Sequence, residues 1–130
     1  MEIDVRCKVD ADGKQLMDAM QKISDTQFVP GSSSQFKRVM YRPPIEKSAA
    51  SIRLFEKLQI AAGRVGTTVR ERYCGGGTDG NYTSAEGIPT IDSLGPIGAM
   101  EHTDKEYILL DTYYSRTALL GEFIVEICRG

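Results

Sequence analysis

A chain of 130 residues with 41% apolar and 26% charged residues is long enough for one domain, or for one domain plus part of another. The net charge is −2 and no run of Lys or Arg exceeds two residues, which disfavours nucleic acid and anionic membranes as main partners. The apolar runs are far too short to span a membrane, and the N-terminus does not resemble a signal peptide.

The three cysteines, Cys7, Cys74 and Cys128, are widely spaced and form no CxxC or CxxH pattern. An odd number of such cysteines indicates free thiols in a reducing compartment. A cytoplasmic location is therefore expected.

The first third of the chain predicts a β-α-β unit. Residues 3–9 alternate apolar and polar side chains, which is typical of a half-buried strand. After a turn at 10–13, apolar side chains at helical spacing from Leu16 to Ile23 predict a short helix. A polar loop leads to a second alternating segment, 36–41, that ends at Arg42-Pro43-Pro44. The double proline disfavours a helix and predicts a boundary between domains at this point.

The remainder of the chain predicts an α/β layered sheet. Ser48 begins a helix that Gly63 stops, and its apolar stripe comprises Leu54, Phe55, Leu58, Ala61 and Ala62. Residues 66–73 and 88–95 are predicted strands, separated by a short helix that Thr78-Asp79 caps and Gly87 closes. An extended piece at 107–110 precedes a last helix capped by Asp111. This order of helices and strands predicts the α/β fold class.

The segment "YCGGGTDGN" contains the first candidate site, the glycine loop formed by Gly75, Gly76 and Gly77. A strand, a glycine-rich turn and a helix start can direct backbone N–H groups at a ligand, and glycine lets that ligand approach the main chain. Asp79 at the helix start and the lack of a GKS/T or GxGxxG motif argue against a phosphate site. A tight turn that only packs against its surroundings is the alternative.

Three single residues are further candidates. His102 is the only histidine and follows a predicted buried strand, where open α/β sheets bind ligands, although most lone histidines have no such role. Arg6 and Arg42 carry guanidinium groups that suit substrate carboxylates, while a solvated strand face is the ordinary explanation for each. One histidine cannot form a metal site without further ligands.

Three segments, "IDVRCKVDADGKQLMDAMQKI", "YRPPIEKSAAS" and "GGGTDGNYTSAEGIPTIDSLGPIGAMEHTDKEYILLD", occur in an order that resembles the C-terminal half of the M20 family of metallopeptidases. The glutamate carboxypeptidase type is the most similar. The resemblance implies that residues 1–42 form the second β-α-β half of a lid and dimerisation domain. It also implies that residues 43–130 form the C-terminal segment of an α/β catalytic domain.

The resemblance assigns roles to the candidate residues. His102 is similar to a histidine that ligates one of two zinc ions, and Arg42 to a lid arginine that grips the substrate carboxylate. Arg6 matches an arginine that assists in that binding. The glycine loop matches a segment whose main chain lines the substrate pocket, and this role is expected of Gly75, Gly76 and Gly77 alike. No catalytic residue of the family matches a position in this chain.

The function that the resemblance implies is zinc-dependent hydrolysis of an amide next to a free carboxylate, in a peptide or an N-acyl amino acid. The family's other metal ligands and its catalytic glutamate lie in an N-terminal half, so this chain alone is expected to be inactive. A non-catalytic dimerisation or interaction module derived from such an enzyme is the alternative. We also expect a homodimer or larger assembly, with bare apolar faces around Val69, Ile91 and the stripe of Leu54, Phe55 and Leu58.

Overall fold

A computed structural model describes residues 1–129 of the chain. They form two compact units. The first unit contains Met1–Glu46 and Gly75–Ile88, and the second contains Lys47–Cys74 and the residues from Pro89 onward. In chain order the helices and strands are α1 (Asp10–Asp25), α2 (Ala49–Arg64), α3 (Gly80–Ala85), β1 (Gly98–Ala99), β2 (Tyr107–Ile108) and α4 (Leu110–Cys128).

The second unit is built around the packing of α2 on α4. A capping box starts α2: the Ser48 hydroxyl accepts a hydrogen bond from the backbone N–H of Ser51, and the Ser51 hydroxyl accepts one from the N–H of Ser48. The apolar stripes of the two helices then form the core, whose buried members are Leu58, Ala61, Ala62, Leu119 and Phe123. All the buried apolar side chains among residues 1–129 belong to this core.

An ion-pair network joins the C-terminal ends of α2 and α4. The guanidinium group of Arg64 on α2 donates hydrogen bonds to Glu122, at 2.9 Å, and to Glu126, both on α4. Arg129 lies 3.4 Å from the same carboxylate of Glu122. The hydrogen bond to Glu122, and then that to Glu126, raises the pKa of Arg64 above its ordinary value. These pairs fix which ends of the helices lie side by side.

The first unit is held by polar contacts around α1 and the segment that precedes Pro43. The backbone N–H of Asp10, at the start of α1, donates to a carboxylate oxygen of Glu46 at 2.8 Å. The hydroxyl of Tyr41 donates to the carboxylate of Asp10, and this hydrogen bond is the main reason why the pKa of Tyr41 lies above its ordinary value. The apolar side of α1 is only half covered, because Leu16 and Ile23 are exposed.

The helices predicted from the sequence are present, with shifted ends. Helix α1 starts at Asp10, so the residues expected to form a turn at 10–13 are its first turn. Asp111 does not cap α4, because the helix starts one residue earlier; its N-cap is Leu109, which gives no side-chain cap. An acidic residue in the first turn still interacts favourably with the helix dipole. None of the helices among residues 1–129 is long and apolar enough to cross a membrane.

The strands differ more from the prediction. No strand is assigned to segments 3–9, 36–41, 66–73 and 88–95. The sheet that the described residues form has two strands, with Gly98 opposite Ile108 and Ala99 opposite Tyr107 in antiparallel register. A strand requires a neighbour that supplies ladder hydrogen bonds, which alternation of side chains does not reveal. The structure is thus helical with a small sheet, which is compatible with the α/β class.

The expected bare apolar faces are not bare. Leu58 is 1% exposed, and Leu54, Phe55, Val69 and Ile91 pack against the core of the second unit. The prediction was wrong because these side chains cover one another: the segments around Val69 and Ile91 pack on the core and supply cover that was expected from a further part of the enzyme.

Candidate functional site

Arg6 contacts the glycine loop at its first residue, Gly75. One guanidinium nitrogen of Arg6 donates to the carbonyl oxygen of Gly75 at 2.9 Å. Two others donate to one carboxylate oxygen of Asp4, at 2.8 and 3.1 Å. The Arg6–Asp4 pair is largely exposed, so it contributes little to stability. Its effect is to direct the guanidinium group at the loop, and it leaves few donors of Arg6 for another carboxylate.

Arg42 contacts the third residue of the loop, Gly77. A Cβ atom added to Gly77 would lie 2.5 Å from a guanidinium nitrogen of Arg42 and 2.6 Å from its Cδ atom. Both distances are shorter than real Cβ atoms tolerate. Gly77 does not have a left-handed backbone, so space for the Arg42 side chain is the reason for glycine here. At Gly75 the same test gives 3.4 Å to Arg6, which is ordinary contact.

Gly76, the middle residue of the loop, differs from its two neighbours. It is exposed and lies outside any helix or strand. The arginine contacts of the loop fall on Gly75 and Gly77, on either side of it. The expected role of Gly76 in lining a substrate pocket stays a prediction.

The guanidinium group of Arg42 also lies against the ring of Tyr82, with 5.7 Å between its Cζ atom and the ring centroid. Tyr82 belongs to α3, the short helix that follows the loop. Arg42 is exposed, and among residues 1–129 it makes no hydrogen bond or ion pair. The Arg42 side chain is held by its contacts with Gly77 and the Tyr82 ring, while its N–H donors stay open. Such a guanidinium group can bind a carboxylate.

Asn81 is a site residue that the sequence did not single out. It is 8% exposed, and among residues 1–129 it is the only buried polar residue. Its side-chain oxygen accepts a hydrogen bond from the backbone N–H of Thr78 at 2.7 Å, and its amide nitrogen donates to the carbonyl oxygen of Pro43 at 2.7 Å. Asn81 is the only asparagine in the sequence, and its place two residues after Asp79 was the only signal.

The start of α3 differs from the prediction in one respect. Asp79 is the N-cap residue, but its carboxylate makes no capping hydrogen bond. The hydroxyl of Thr78 accepts instead from the N–H of Gly80, at 3.1 Å. The helix ends at Ala85, and Gly87 follows with a left-handed φ of 78°, which glycine adopts without strain. The predicted closure at Gly87 is therefore observed.

His102 lies in the second unit, in the loop that joins β1 to β2. Its side chain is exposed, and its φ of 67° is unusual for a residue with a side chain. The backbone N–H of His102 donates to a carboxylate oxygen of Glu106 at 3.3 Å. The N–H and the hydroxyl of Thr103 both donate to the carbonyl oxygen of Met100, at 3.2 and 2.8 Å. These bonds hold the loop in a conformation that presents the imidazole outward.

Gly98 sets the geometry of this hairpin. A Cβ atom at Gly98 would lie well under 3.0 Å from the carbonyl oxygen of Tyr107, which is backbone and cannot move aside like a flexible side chain. The two strands can therefore pair as they do only with glycine at position 98.

Within residues 1–129 no group of three or more His, Cys, Asp and Glu side chains is arranged to hold a metal ion. Stable protein metal sites use several such ligands at once. The described residues therefore do not form a metal site by themselves, and His102 offers one nitrogen ligand.

Comparisons with known proteins agree with the motifs. The profile of peptidase family M20/M25/M40 matches residues 9–126. Carboxypeptidase G2 of Pseudomonas sp. (strain RS-16) is 26% identical over 132 aligned positions, which cover 100% of this chain and 32% of that protein. The chain thus spans about a third of the length of this relative. No solved structure gives a significant match. Because the family profile covers most of its length, the chain belongs to peptidase family M20/M25/M40.

Proposed function

We propose that the chain is the C-terminal part of an M20-type, zinc-dependent amidohydrolase or carboxypeptidase that cleaves an amide next to a free carboxylate. Peptides and N-acyl amino acids are the proposed substrates. The observation that carries the proposal is Arg42, whose open guanidinium group is fitted against Gly77 and Tyr82 in a chain of this family.

In this proposal Arg42 forms the main contact with the substrate. Its guanidinium group donates two parallel hydrogen bonds to the free carboxylate, a geometry that gives both energy and orientation. Arg6 assists from the other end of the loop, where it holds the carbonyl of Gly75. The main chain of Gly75, Gly76 and Gly77 lines the pocket, because glycine lets a substrate approach closely.

His102 is proposed as one ligand of a zinc ion that, when bound, would polarise the scissile carbonyl. Members of the family are generally metal-dependent. The described residues supply one such ligand rather than a set. We therefore propose that the chain alone is inactive, with the other ligands and the catalytic glutamate on a further part of the protein. A chain that covers 32% of carboxypeptidase G2 is consistent with this division.

We propose that residues 1–42 belong to a lid and dimerisation domain and that residues 43–130 belong to a catalytic domain. A cytoplasmic location is proposed as well. It is supported by Cys7, Cys74 and Cys128, which are all free thiols.

The test has two arms. The purified 130-residue chain, supplied with zinc and an N-acyl amino acid, is expected to show no amide hydrolysis. Zinc-dependent turnover that His102→Ala abolishes would contradict the proposed inactivity. In a hydrolase that carries this chain as its C-terminal part, His102→Ala should remove most activity and lower the zinc content. Lys105→Ala, in the same exposed loop, is the matched control and should change neither.

The alternative is a non-catalytic interaction module, and an exposed apolar row on α4 favours it. The row comprises Leu110, Tyr113, Leu120, Ile124 and Ile127, which are 70%, 51%, 43%, 54% and 42% exposed. Apolar surface of this kind promotes association with a second copy. Sedimentation at low micromolar concentration discriminates: a dimer or larger species that Ile124→Glu dissociates would support the module, and a 14.3 kDa monomer would exclude it at that concentration.

A further inference from the structure

The side chain of Asn81 joins two segments of the first unit that are distant in sequence. It accepts from the N–H of Thr78, directly after the glycine loop, and donates to the carbonyl of Pro43, directly after Arg42. A backbone N–H can only donate and a carbonyl can only accept, so the orientation of the amide is fixed by its two partners. Both bonds are 2.7 Å long and partly buried, and Asn81 itself is 8% exposed.

The asparagine amide satisfies both partners because it carries an acceptor oxygen and a donor nitrogen. Aspartate could accept from Thr78 but could not donate to Pro43 when ionised, and leucine could do neither. Burial raises the free-energy cost of losing these bonds. A backbone group that loses its bond to Asn81 has less access to water that could replace it. The amide therefore fixes the distance between the main chain at position 43 and the loop that contains Gly77.

The next residue of α3 acts on the side chain of the same arginine. The ring of Tyr82 lies 5.7 Å from the guanidinium carbon of Arg42. Two consecutive residues thus hold Arg42. Asn81 holds the backbone next to it, and Tyr82 contacts its guanidinium group. Because Arg42 has no hydrogen bond or ion pair of its own among residues 1–129, these contacts and Gly77 are what direct its open donors.

We propose that Asn81 is a positioning residue for Arg42: its buried amide ties the arginine segment to the glycine loop, so that the guanidinium group is oriented before a carboxylate arrives. This inference rests on the proposed function, in which Arg42 binds that carboxylate. Orientation in advance lowers the entropy lost on binding. A structural role for Asn81 would predict lower stability of the first unit without any dependence on Arg42.

The experiment uses the 130-residue chain labelled with nitrogen-15 and N-acetylglycine as the probe. Amide hydrogen exchange of Thr78 reports the bond to Asn81, and shifts of the loop amides give the dissociation constant of the probe. Asn81→Leu should speed exchange of Thr78 by about tenfold and weaken probe binding by about tenfold. Asn81→Asp should keep Thr78 protected, because its carboxylate still accepts, but should weaken binding. Lys14→Ala, at an exposed position of α1 in the same unit, is the control and should bind the probe as the wild type does.

The double variant separates positioning from structure. If Asn81 acts through Arg42, adding Asn81→Leu to Arg42→Ala should weaken probe binding no further. Wild-type affinity in Asn81→Leu, or an additive loss in the double variant, would overturn the inference while the proposed function stands. Unchanged binding in Arg42→Ala, or no binding by the wild type, would overturn the proposed function and with it the inference. Exchange at Thr78 shows in either case whether the bond exists.

Discussion

The two units of this protein are stabilised internally by different forces. The second unit has an apolar core between α2 and α4, with Leu58 and Leu119 both 1% exposed. In the first unit none of the described apolar side chains is buried, and its segments are joined by hydrogen bonds from Asp10, Tyr41 and Asn81. Burial of apolar area gives the larger and less directional stabilisation. The second unit is therefore the scaffold, and the first is the more readily altered part.

This difference bears on function, since the residues proposed to bind the carboxylate all lie in the first unit. Arg6 is held by hydrogen bonds to Asp4 and Gly75, and Arg42 by contacts with Gly77 and the ring of Tyr82, rather than by a packed core. Changing one such contact should alter binding more than stability. Changing the core of the second unit should do the reverse.

The largest expected effect is on stability and comes from Leu58→Ala. Removal of a side chain that is 1% exposed leaves a cavity in the core, which typically lowers the free energy of unfolding by about 2–5 kcal/mol. Leu16→Ala on α1 is the matched control, because Leu16 is 42% exposed and should cost well under half as much. Chemical denaturation followed by circular dichroism measures both. Equal losses would contradict the contrast between the units.

A smaller loss is expected from Gly98→Ala in the β1–β2 hairpin. The added methyl group meets the carbonyl oxygen of Tyr107, so the strands must separate, and overpacking of this kind costs about 1–3 kcal/mol. Gly95→Ala is the control, since nothing lies within 4 Å of its added methyl group. The amide spectrum of Tyr107 and Ile108 should change in the first variant only. An intact hairpin in Gly98→Ala would show that the pairing of β1 with β2 is misassigned.

The third prediction sharpens the contrast within the glycine loop itself. Gly77→Ala should displace the Arg42 side chain, which can swing aside, and should weaken binding of N-acetylglycine by about tenfold with a stability change below about 1 kcal/mol. Gly75→Ala meets Arg6 at ordinary contact distance and leaves Arg42 in place, so it should weaken binding of the probe less than Gly77→Ala does. Should both variants bind equally well, Gly77 would have no special role in placing Arg42.

The sequence predicted the helices better than the sheet, for a local reason. The Ser48 cap and the stripe of Leu58, Ala61 and Ala62 lie within one segment, so spacing alone identifies α2. Pairing of a strand depends on a second segment, and alternation at 3–9 or 36–41 does not show whether one is present. Those alternating patterns therefore led to strands that the structure does not show.

The candidate site was predicted in part. Arg42 and the glycine loop were chosen through resemblance to a family, and the structure brings Arg42 into contact with the loop at Gly77. Asn81 was missed because its partners, Thr78 and Pro43, are backbone groups whose positions follow from the fold and leave no side-chain pattern in the sequence. The left-handed backbone in the loop between β1 and β2 could likewise not be predicted from the sequence, because it depends on the hydrogen bonds of that loop.

The central claim is that Arg42, held on the glycine loop of the first unit, binds a free carboxylate. Its most direct test is a titration of the labelled chain with N-acetylglycine and, separately, with N-acetylglycinamide, which lacks the charge. We predict saturable shifts of the Arg42 side-chain N–H and of the amides at positions 75–78 with the acid alone, lost in Arg42→Ala and retained in weakened form in Arg6→Ala. Equal shifts with acid and amide, or shifts that survive Arg42→Ala, would contradict the claim.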